Sequence, residues 1–475
     1  MSGTNGTRLL GDGGLYTRVF TRTVFPLLDR MNGTTIAAKL EELLQAENID
    51  PELIERRQRN RVEQTVTRIR ESSAFYRKFW ESVPRERRVG SLYPALDGLP
   101  VLTKQDIGDA AAFPEPSYRG RVIASRTSGS TGRPMLFYRS VEQESWFWAL
   151  RFRMWSWAGY RPGDRYLEIN LNPRVAARKR LQDLLFRCWY LTFNADNQDS
   201  ARIVDALTHQ PIPYINGFSS SVYVLARYML EHGAPKTGVT GITTTGDTLF
   251  PVYRETIERA FDCRVIDYYG AGGEGFHVAS QCPESGSRYH LHPENALVEV
   301  LGPDGPVKPG ERGRIVVTQF DNDAMPLVRY ELGDVAVAGQ PGDRCACGRT
   351  LPMLGAIEGR VPDLIATPHG GFLVSHFFVV LFKNIPDIDV YQIVQDEIGA
   401  ARVRLVPRPG ANRAAVEQTV RNAFAEATRS SVTPSFEWVD EIPLSGAGKR
   451  RLVISSVSRQ LLGAQNAPSA LRADA

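Results

Sequence analysis

The chain has 475 residues, of which 42% are hydrophobic and 23% are charged. These proportions are typical of globular proteins and exclude a small disulfide-stapled module, a collagen and a largely disordered chain. The net charge of +4 is too dilute in so long a chain to predict a nucleic-acid binder, so we expect a small-molecule substrate.

The N-terminal residues carry no export signal, because MSGTNGTRLLGDGG lacks the apolar segment of a signal peptide. The most apolar later stretch, 372–382, has about half of the roughly 20 residues that span a bilayer. We therefore expect a cytoplasmic protein without membrane association. In that reducing compartment, clustered cysteines more often bind metal than form disulfides.

Hydrophobic periodicity predicts an α/β protein. Residues 14–95 carry apolar positions at helical spacing and form a predicted N-terminal helical segment. From 99 to 354, short runs such as VIAS, YLEINL and GITTTG alternate with amphipathic stretches, which predicts an α/β core with largely parallel sheets. The run 296–320 is typical of a β-hairpin. Together these segments form a predicted large domain, 1–358.

A stretch rich in glycine and proline, 359–371, is predicted to be a hinge. The remaining residues, 372–475, contain strand-like runs on both sides of an amphipathic helix. This order is typical of a small α+β domain.

The most informative stretch of the chain is Ser125–Tyr138, SRTSGSTGRPMLFY. Hydroxyl side chains alternate there with glycines, so that backbone N–H groups and hydroxyls can both point at a polyphosphate. The residues concerned are Thr127, Ser128, Gly129, Ser130, Thr131 and Gly132. No Gly-Lys-Ser/Thr follows at the spacing of a Walker A loop, so we predict a phosphate loop of another kind. A polar turn without a ligand is the alternative.

A second glycine-rich stretch, Gly270–Gly275, formally matches the dinucleotide motif G-x-G-x-x-G. That motif needs a helix to begin there. The segment Cys282–Gly286, CPESG, ends any such helix after about two turns. We therefore do not expect nicotinamide or flavin binding.

Four motifs occur in the order and approximate spacing of the adenylate-forming (ANL, acyl-CoA synthetase) superfamily, which the chain resembles. They are TSGSTGRP at 127–134, VRYELGD at 328–334, GRVPDLI at 359–365 and PLSGAGKRR at 443–451. LPVLTKQDI at 99–107 and CxCGR at 345–349 resemble its phenylacetate–CoA ligase branch in particular. The resemblance implies a large N-terminal adenylation domain of several subdomains and a small mobile α+β lid domain at the C-terminus.

The resemblance also implies an ATP site. The loop 127–132 would hold the β- and γ-phosphates, and Asp334 would accept hydrogen bonds from both ribose hydroxyls. Arg360 would contact the ribose or a phosphate. The other implied nucleotide residues, around the adenine, are Gly246, Asp247, Tyr268, Tyr269 and Gly270. Without the other motifs, Asp334 would be interpreted as a turn residue, because Gly-Asp is common in turns.

Two further residues are assigned to the reaction. Lys449 lies in a glycine-rich loop, and a cation there can stabilise both the attacking carboxylate and the departing pyrophosphate; a solvated surface lysine is the alternative. Glu274 is implied to hold Mg²⁺ on the phosphates. It lies five residues after Tyr269, where the family has four, so we infer a one-residue insertion. Glycine replaces the usual hydroxyl residue of this motif, which points to an unusual acyl substrate.

Cysteines and a histidine suggest a metal site. Cys282, His290, Cys345 and Cys347 form a Cys₃His set, the closed tetrahedral pattern of structural zinc, and similar residues occur in the resembled branch. His292 competes with His290 as the fourth ligand. The alternative is a pair of reduced thiols in a turn.

The implied function is an ATP-dependent ligase that converts a carboxylic acid, aryl or arylacetic, to acyl-AMP and then passes the acyl group to CoA. The aromatic stretches 146–160 and 214–223 have two alternative roles. They line an apolar pocket for the acid, or they pack in the hydrophobic core. An amine or carrier protein is the alternative acceptor, as in secondary metabolism. A scaffold without catalysis need not retain Asp334, Arg360 and Lys449. A homodimer is left open.

Overall fold

The protein has the mixed α/β fold that the sequence predicts, here described from a computed structural model. The structure describes 14–84, 87–108, 113–126, 135–170, 177–192, 197–246, 248–360, 364–368, 372–374, 378, 381–382, 385–443 and 451–457.

Helices make up the first part of the chain and then alternate with strands. The helices are α1 (Leu15–Val19), α2 (Phe25–Asn32), α3 (Ile36–Gln45), α4 (Pro51–Ser72), α5 (Ala74–Ser82), α6 (Lys104–Gly108), α7 (Val141–Trp157), α8 (Ala177–Leu185), α9 (Asn197–His209), α10 (Ser219–Glu231), α11 (Pro251–Phe261) and α12 (Arg413–Thr428). A π-helical turn, Phe20–Val24, joins α1 to α2. None of the helices within the described residues is long and apolar enough to cross a membrane.

Within the described residues the strands fall into five sheets. Their bounds are β1 (Val122–Arg126), β2 (Leu136–Ser140), β3 (Tyr166–Asn170), β4 (Cys188–Thr192), β5 (Tyr214–Phe218), β6 (Gly241–Thr245), β7 (Val265–Ala271), β8 (Phe276–Ser280), β9 (Tyr289–Leu291), β10 (Ala296–Leu301), β11 (Arg312–Gln319), β12 (Tyr330–Val337), β13 (Met353–Leu354), β14 (Ile357–Arg360), β15 (Leu364–Ala366), β16 (Phe372–Val374), β17 (Ile388–Gln395), β18 (Ala400–Pro407), β19 (Thr433–Trp438) and β20 (Val453–Ser455).

The largest sheet has eight strands in the order β13-β9-β8-β7-β6-β5-β3-β4. Strands β7, β6, β5, β3 and β4 run parallel, as predicted from the alternating strand and helix patterns. Strands β8, β9 and β13 extend this sheet in antiparallel fashion. The carboxyl ends of the parallel strands share one edge, where open α/β sheets commonly bind ligands.

A second sheet, β10-β11-β12-β14, is antiparallel, and its first two strands are the hairpin predicted over 296–320. Its strand β12 begins beside Leu102, which forms a parallel bridge to Tyr330. The segment that includes LPVLTKQDI therefore supports the start of β12.

The C-terminal part contains the sheet β19-β18-β17-β20, with α12 packed against it. The fully buried Gln395 ties this sheet to the small hairpin β15–β16. Its side-chain Oε1 accepts from the Ala366 N–H at 2.7 Å, and its Nε2 donates to the Ala366 carbonyl at 2.9 Å. These residues form their own hydrophobic core, which includes Val403, Val420 and Phe424.

One buried arginine fixes the region in front of β12. Arg329 has no exposed surface, and its φ of +50° is unusual for a residue other than glycine. Its guanidinium forms an ion pair with Glu299 of β10 at 3.2 Å. It also donates to the carbonyls of Val89 and Leu99, both at 2.7 Å. The arginine therefore holds the segment before α6 against the second sheet.

Replacing Arg329 by alanine should destabilise the protein by about 3–5 kcal/mol, because the buried Glu299 carboxylate loses its partner. Arg227 provides a matched control, since its pair with Glu231 is about half exposed on both sides. We expect Arg227→Ala to cost less than about 1 kcal/mol. Denaturant unfolding of both variants measures the difference, and equal losses would contradict the assignment of Arg329 as a structural centre.

Candidate active site

Strand β7 places two adjacent tyrosines on opposite faces of the largest sheet, because side chains alternate along a strand. The phenol of Tyr269 reaches strand β12, where it donates a hydrogen bond of 2.5 Å to the Asp334 carboxylate. The Tyr268 ring is buried on the other face, and its hydroxyl donates to Asn216 of β5 at 3.2 Å.

This alternation separates two residues that one prediction grouped together. We expected both Tyr268 and Tyr269 to lie against the adenine. Tyr268 is only 4% exposed, and its ring packs in a core cluster with Trp155 and Tyr166. Of the two tyrosines, Tyr269 is the one that contacts Asp334, and a contact of either ring with the adenine stays a prediction.

Asp334 lies opposite Arg360 in the pairing of β12 with β14. The register brings the backbones of these two predicted nucleotide residues next to each other across the sheet. The Arg360 side chain lies outside the described residues. The described side chains in hydrogen-bond contact here are thus those of Asp334 and Tyr269.

Glu274 belongs to the turn between β7 and β8. Its carboxylate accepts a hydrogen bond of 3.4 Å from the hydroxyl of Tyr330, the first residue of β12. Two contacts with β12, one from β7 and one from the turn that follows it, therefore bring Glu274, Tyr269 and Asp334 to one location. The pairing of β7 with β8 shifts register between Tyr269 and Gly270, next to the turn where we infer the extra residue.

Gly246 follows β6 and adopts a φ of +84°, which glycine adopts without strain. A Cβ at this position would clash with the Phe218 ring. Both constraints demand glycine at the carboxyl end of β6. Gly270 pairs with His277 of β8.

Several predicted residues lie outside the described part of the chain. These are Thr127, Ser128, Gly129, Ser130, Thr131, Gly132, Asp247 and Lys449. Their flanks are described on both sides of the phosphate loop: β1 ends at Arg126 and pairs antiparallel with β2, which begins at Leu136. The hydroxyl of Ser125, just before the loop, donates to the Gly273 carbonyl at 2.7 Å. This contact places Ser125, near the end of β1, beside the turn that carries Glu274.

The predicted metal ligands converge. The ligand atoms of Cys282, His290, Cys345 and Cys347 all lie within 4.8 Å of one another. Cys282 Sγ is 3.6 Å from Cys345 Sγ, and Cys347 Sγ is 3.5 Å from His290 Nε2. Zinc–sulfur bonds of about 2.3 Å in a tetrahedron place two sulfurs about 3.8 Å apart, so the separations fit one four-coordinate ion.

The fold supplies this cluster from three places. Cys282 follows β8, His290 lies in β9, and a turn before β13 carries Cys345 and Cys347. A hydrogen bond from Cys282, helped by one from His290, holds the pKa of the Cys347 thiol well below its usual range. A thiolate is the form in which cysteine binds metal. The donors therefore fit a metal ion, and His290 occupies the fourth position.

His292, the competing ligand, has other partners. Its Nδ1 lies 2.6 Å from the guanidinium of Arg153, and its Nε2 lies 3.3 Å from the Ser280 hydroxyl. The cluster itself packs against α7 through Trp157, whose ring meets the His290 ring edge-on at 5.4 Å. His290, which the sequence analysis preferred to His292, is therefore the histidine whose ring nitrogen faces the cysteines.

Tyr330 was missed by sequence reasoning as part of the site. Its position four residues before Asp334 in VRYELGD was visible, but no sequence pattern indicated a contact with Glu274.

Comparison with known proteins identifies relatives of the chain. A family described as the CapK C-terminal domain matches residues 365–456. Protein CapK of Staphylococcus aureus is 22% identical over 418 residues, which cover 84% of this chain and 89% of that protein. The phenylacetate–coenzyme A ligase of Thermus thermophilus is 32% identical over 146 residues, 30% of this chain and 32% of that enzyme.

Solved structures share the fold. The crystal structure of a 2-hydroxyisobutyryl-CoA ligase in complex with R3-HIB-AMP has a TM-score of 0.65 and is 20% identical. The match covers 88% of this chain and 94% of that one. The similarity thus extends over both the large α/β part and the C-terminal sheet.

The turn that carries Glu274 offers a test of its geometry. Gly275 has a φ of +83°, and a Cβ there would clash with the Arg139 side chain. We expect Gly275→Ala to destabilise the protein by about 1–3 kcal/mol. Gly272, in the same turn, has open space where a Cβ would stand, with no other atom within 4 Å, so Gly272→Ala should stay within about 0.5 kcal/mol of the parent. Thermal unfolding compares the two, and a harmless Gly275→Ala would refute the described turn.

Proposed function

We propose that this chain, a homologue of phenylacetate–CoA ligase and of CapK with the fold of the adenylate-forming (ANL) superfamily, is an ATP-dependent acid ligase. It activates a carboxylic acid as acyl-AMP and then transfers the acyl group to CoA. The observation that carries the proposal is the convergence of Tyr269, Asp334 and Glu274 at one edge of the largest sheet.

Asp334 suits the ribose of ATP. A carboxylate can accept hydrogen bonds from two vicinal hydroxyls at once, and it rejects a sugar that lacks one of them. Tyr269 supplies a flat ring beside it for the adenine, since its hydroxyl already touches the same carboxylate. Arg360, opposite Asp334 on β14, would contact the ribose or a phosphate.

The first half-reaction forms one bond and breaks one bond. A carboxylate oxygen of the acid attacks the α-phosphorus of ATP, the new O–P bond gives acyl-AMP, and the bond to the β-phosphate oxygen breaks to release pyrophosphate. Positive charge near both oxygens lowers the barrier. We assign this role to Lys449, and the binding of the β- and γ-phosphates to residues 127–132.

Magnesium fits the same location. Mg²⁺ in nucleotide sites is usually bound by one or two carboxylates together with the phosphates. Glu274 provides such a carboxylate, close to the flank of the phosphate loop. The ion would neutralise phosphate charge when bound.

In the second half-reaction a thiol of CoA attacks the acyl carbonyl and AMP leaves. We propose that the C-terminal module moves between the two steps, about a hinge within 359–371. An amine acceptor differs only in the attacking atom, so product analysis with and without CoA distinguishes the two acceptors.

Lys449→Ala should lower acid-dependent exchange of labelled pyrophosphate into ATP by about 100-fold or more, because the charge on both moving oxygens loses its stabilising cation. Lys236 provides the control, since it forms an exposed ion pair with Asp262. Lys236→Ala should exchange at the parent rate. Undiminished exchange in Lys449→Ala would remove the role assigned to this lysine.

We propose that the Cys282, His290, Cys345 and Cys347 cluster binds structural zinc, since four ligands leave no coordination position for a reactant. The ion would connect β8, the strand that follows Glu274, to the turn before β13. Loss of the ion is therefore expected to affect stability and activity together.

Metal analysis of the purified protein should find about one zinc per chain. Cys345→Ser should lose most of it and lower the melting temperature. Cys263→Ser is the matched control, because this cysteine lies outside the cluster. Zinc below a tenth of the chain concentration in the parent protein would contradict the site.

A further inference from the structure

Strand β7 separates two surfaces at the proposed active site. Tyr269 faces β12 and Asp334, whereas Tyr268 and Gly270 face helix α7. With the nucleotide on the Tyr269 side, the acyl part of an acid that reaches the α-phosphate near Glu274 would lie toward the opposite face of β7.

That opposite face is lined by hydrogen-bonding groups. Arg151 of α7 donates to both oxygens of Glu168 on β3, at 3.0 and 3.1 Å. Asn216 of β5 donates to the same carboxylate at 2.9 Å and accepts from Thr243 of β6 at 2.9 Å and from Tyr268 at 3.2 Å. The row runs across four parallel strands, and each of these contacts is already made within the protein.

His277 extends this row on β8 but has no partner of its own. Its ring is 4% exposed, and neither ring nitrogen has a hydrogen bond. Among the described residues it is the only side chain with two such buried atoms. The ring stacks on Phe147 of α7 at 4.3 Å and meets the edge of Tyr268 at 5.3 Å.

A purely structural role does not account for an imidazole at this position. Stacking on Phe147 would be served as well by a phenyl ring, whereas a buried polar atom without a partner costs about 1–3 kcal/mol. Gly270 leaves the space that the ring occupies, since a Cβ there would lie 2.9 Å from His277 Nδ1. The two ring nitrogens without hydrogen-bond partners therefore point to a ligand that supplies hydrogen bonds.

The charges around the ring indicate what kind of ligand this is. Burial, together with Arg151 and Arg139, holds the pKa of His277 well below its usual range, so the neutral ring offers one donor and one acceptor. Each arginine is already paired, Arg139 with Glu144 at 2.8 Å and Arg151 with Glu168. Neither arginine therefore leaves an unpaired positive charge for a second carboxylate, and a neutral hydroxyl, itself donor and acceptor, matches the imidazole.

We propose that His277 is a specificity-determining residue which hydrogen-bonds a hydroxyl group on the acyl part of the acid, so that the substrate is a hydroxylated carboxylic acid. This inference rests on the proposed acid activation and narrows it. Of the two roles left open for the stretch 146–160, the burial of Trp146, Trp155 and Trp157, each at most 6% exposed, supports the core.

The test compares pyrophosphate exchange with paired acids that differ by one hydroxyl. The pairs are mandelic and phenylacetic acid, 4-hydroxyphenylacetic and phenylacetic acid, and 2-hydroxyisobutyric and isobutyric acid. In the parent protein we expect at least one hydroxylated member to exceed its partner in kcat/KM by about 10- to 100-fold. In His277→Phe this ratio should fall toward one. His209→Phe makes the same chemical change at an exposed histidine and should retain the parent ratio.

Two results would overturn the inference: equal rates within every pair in the parent protein, or an unchanged preference in His277→Phe. The comparison within the parent protein requires no variant, so it decides the matter even where His277→Phe fails to fold. Pyrophosphate exchange with the unhydroxylated acids alone would contradict the inference about His277 but would support acid activation. Absence of exchange with every acid would instead count against acid activation itself, and the inference would fall with it.

Discussion

The hydrogen bond from Tyr269 to Asp334 connects the two sheets on which the proposed site depends. Tyr269 belongs to the end of β7 in the largest sheet, and Asp334 to β12 in the antiparallel sheet. The largest sheet supplies the Tyr269 ring and the turn with Glu274, whereas the Asp334 carboxylate comes from the antiparallel sheet. The buried Arg329, directly before β12, fixes the start of that strand through Glu299 and the carbonyls of the preceding segment. A rigid strand with an acidic group at its edge is what recognition of a ribose diol requires.

Side chains alternate along β7, so the two faces of this strand carry different groups. One face of the strand carries the group that we assign to the nucleotide, and the other carries Tyr268 with the polar row of Asn216 and Glu168. In the proposed site the two substrates would meet at the end of the strand, next to Glu274. The Cys₃His cluster lies farther along the same sheet, beyond β8, where a bound ion would hold the strands that carry this edge. A bound ion would thus couple site geometry and stability through β8 and β9.

Much of this architecture follows from the sequence. The alternation of β-branched runs with amphipathic stretches predicted the parallel strands, and cysteine and histidine chemistry predicted the four residues that converge in the cluster. The sequence analysis assigned the adjacent Tyr268 and Tyr269 to one ligand, and their different partners, Asn216 and Asp334, became visible only in the structure. The contact of Tyr330 with Glu274 and the position of His277 depend on which strands pair. Strand pairing between distant segments is a tertiary property that local patterns do not contain.

Recognition of the ATP ribose by Asp334 underlies every step proposed for this site, and calorimetric titration with magnesium and three nucleotides can measure it. We expect ATP to bind, and 2′-deoxy-ATP and 3′-deoxy-ATP to bind at least about tenfold more weakly, because the Asp334 carboxylate then loses one of two hydroxyl donors. Asp334→Asn should remove most of this discrimination while the protein remains folded. Equal affinity for the three nucleotides, or no binding of any of them, would contradict the role of Asp334 and the nucleotide site built around it.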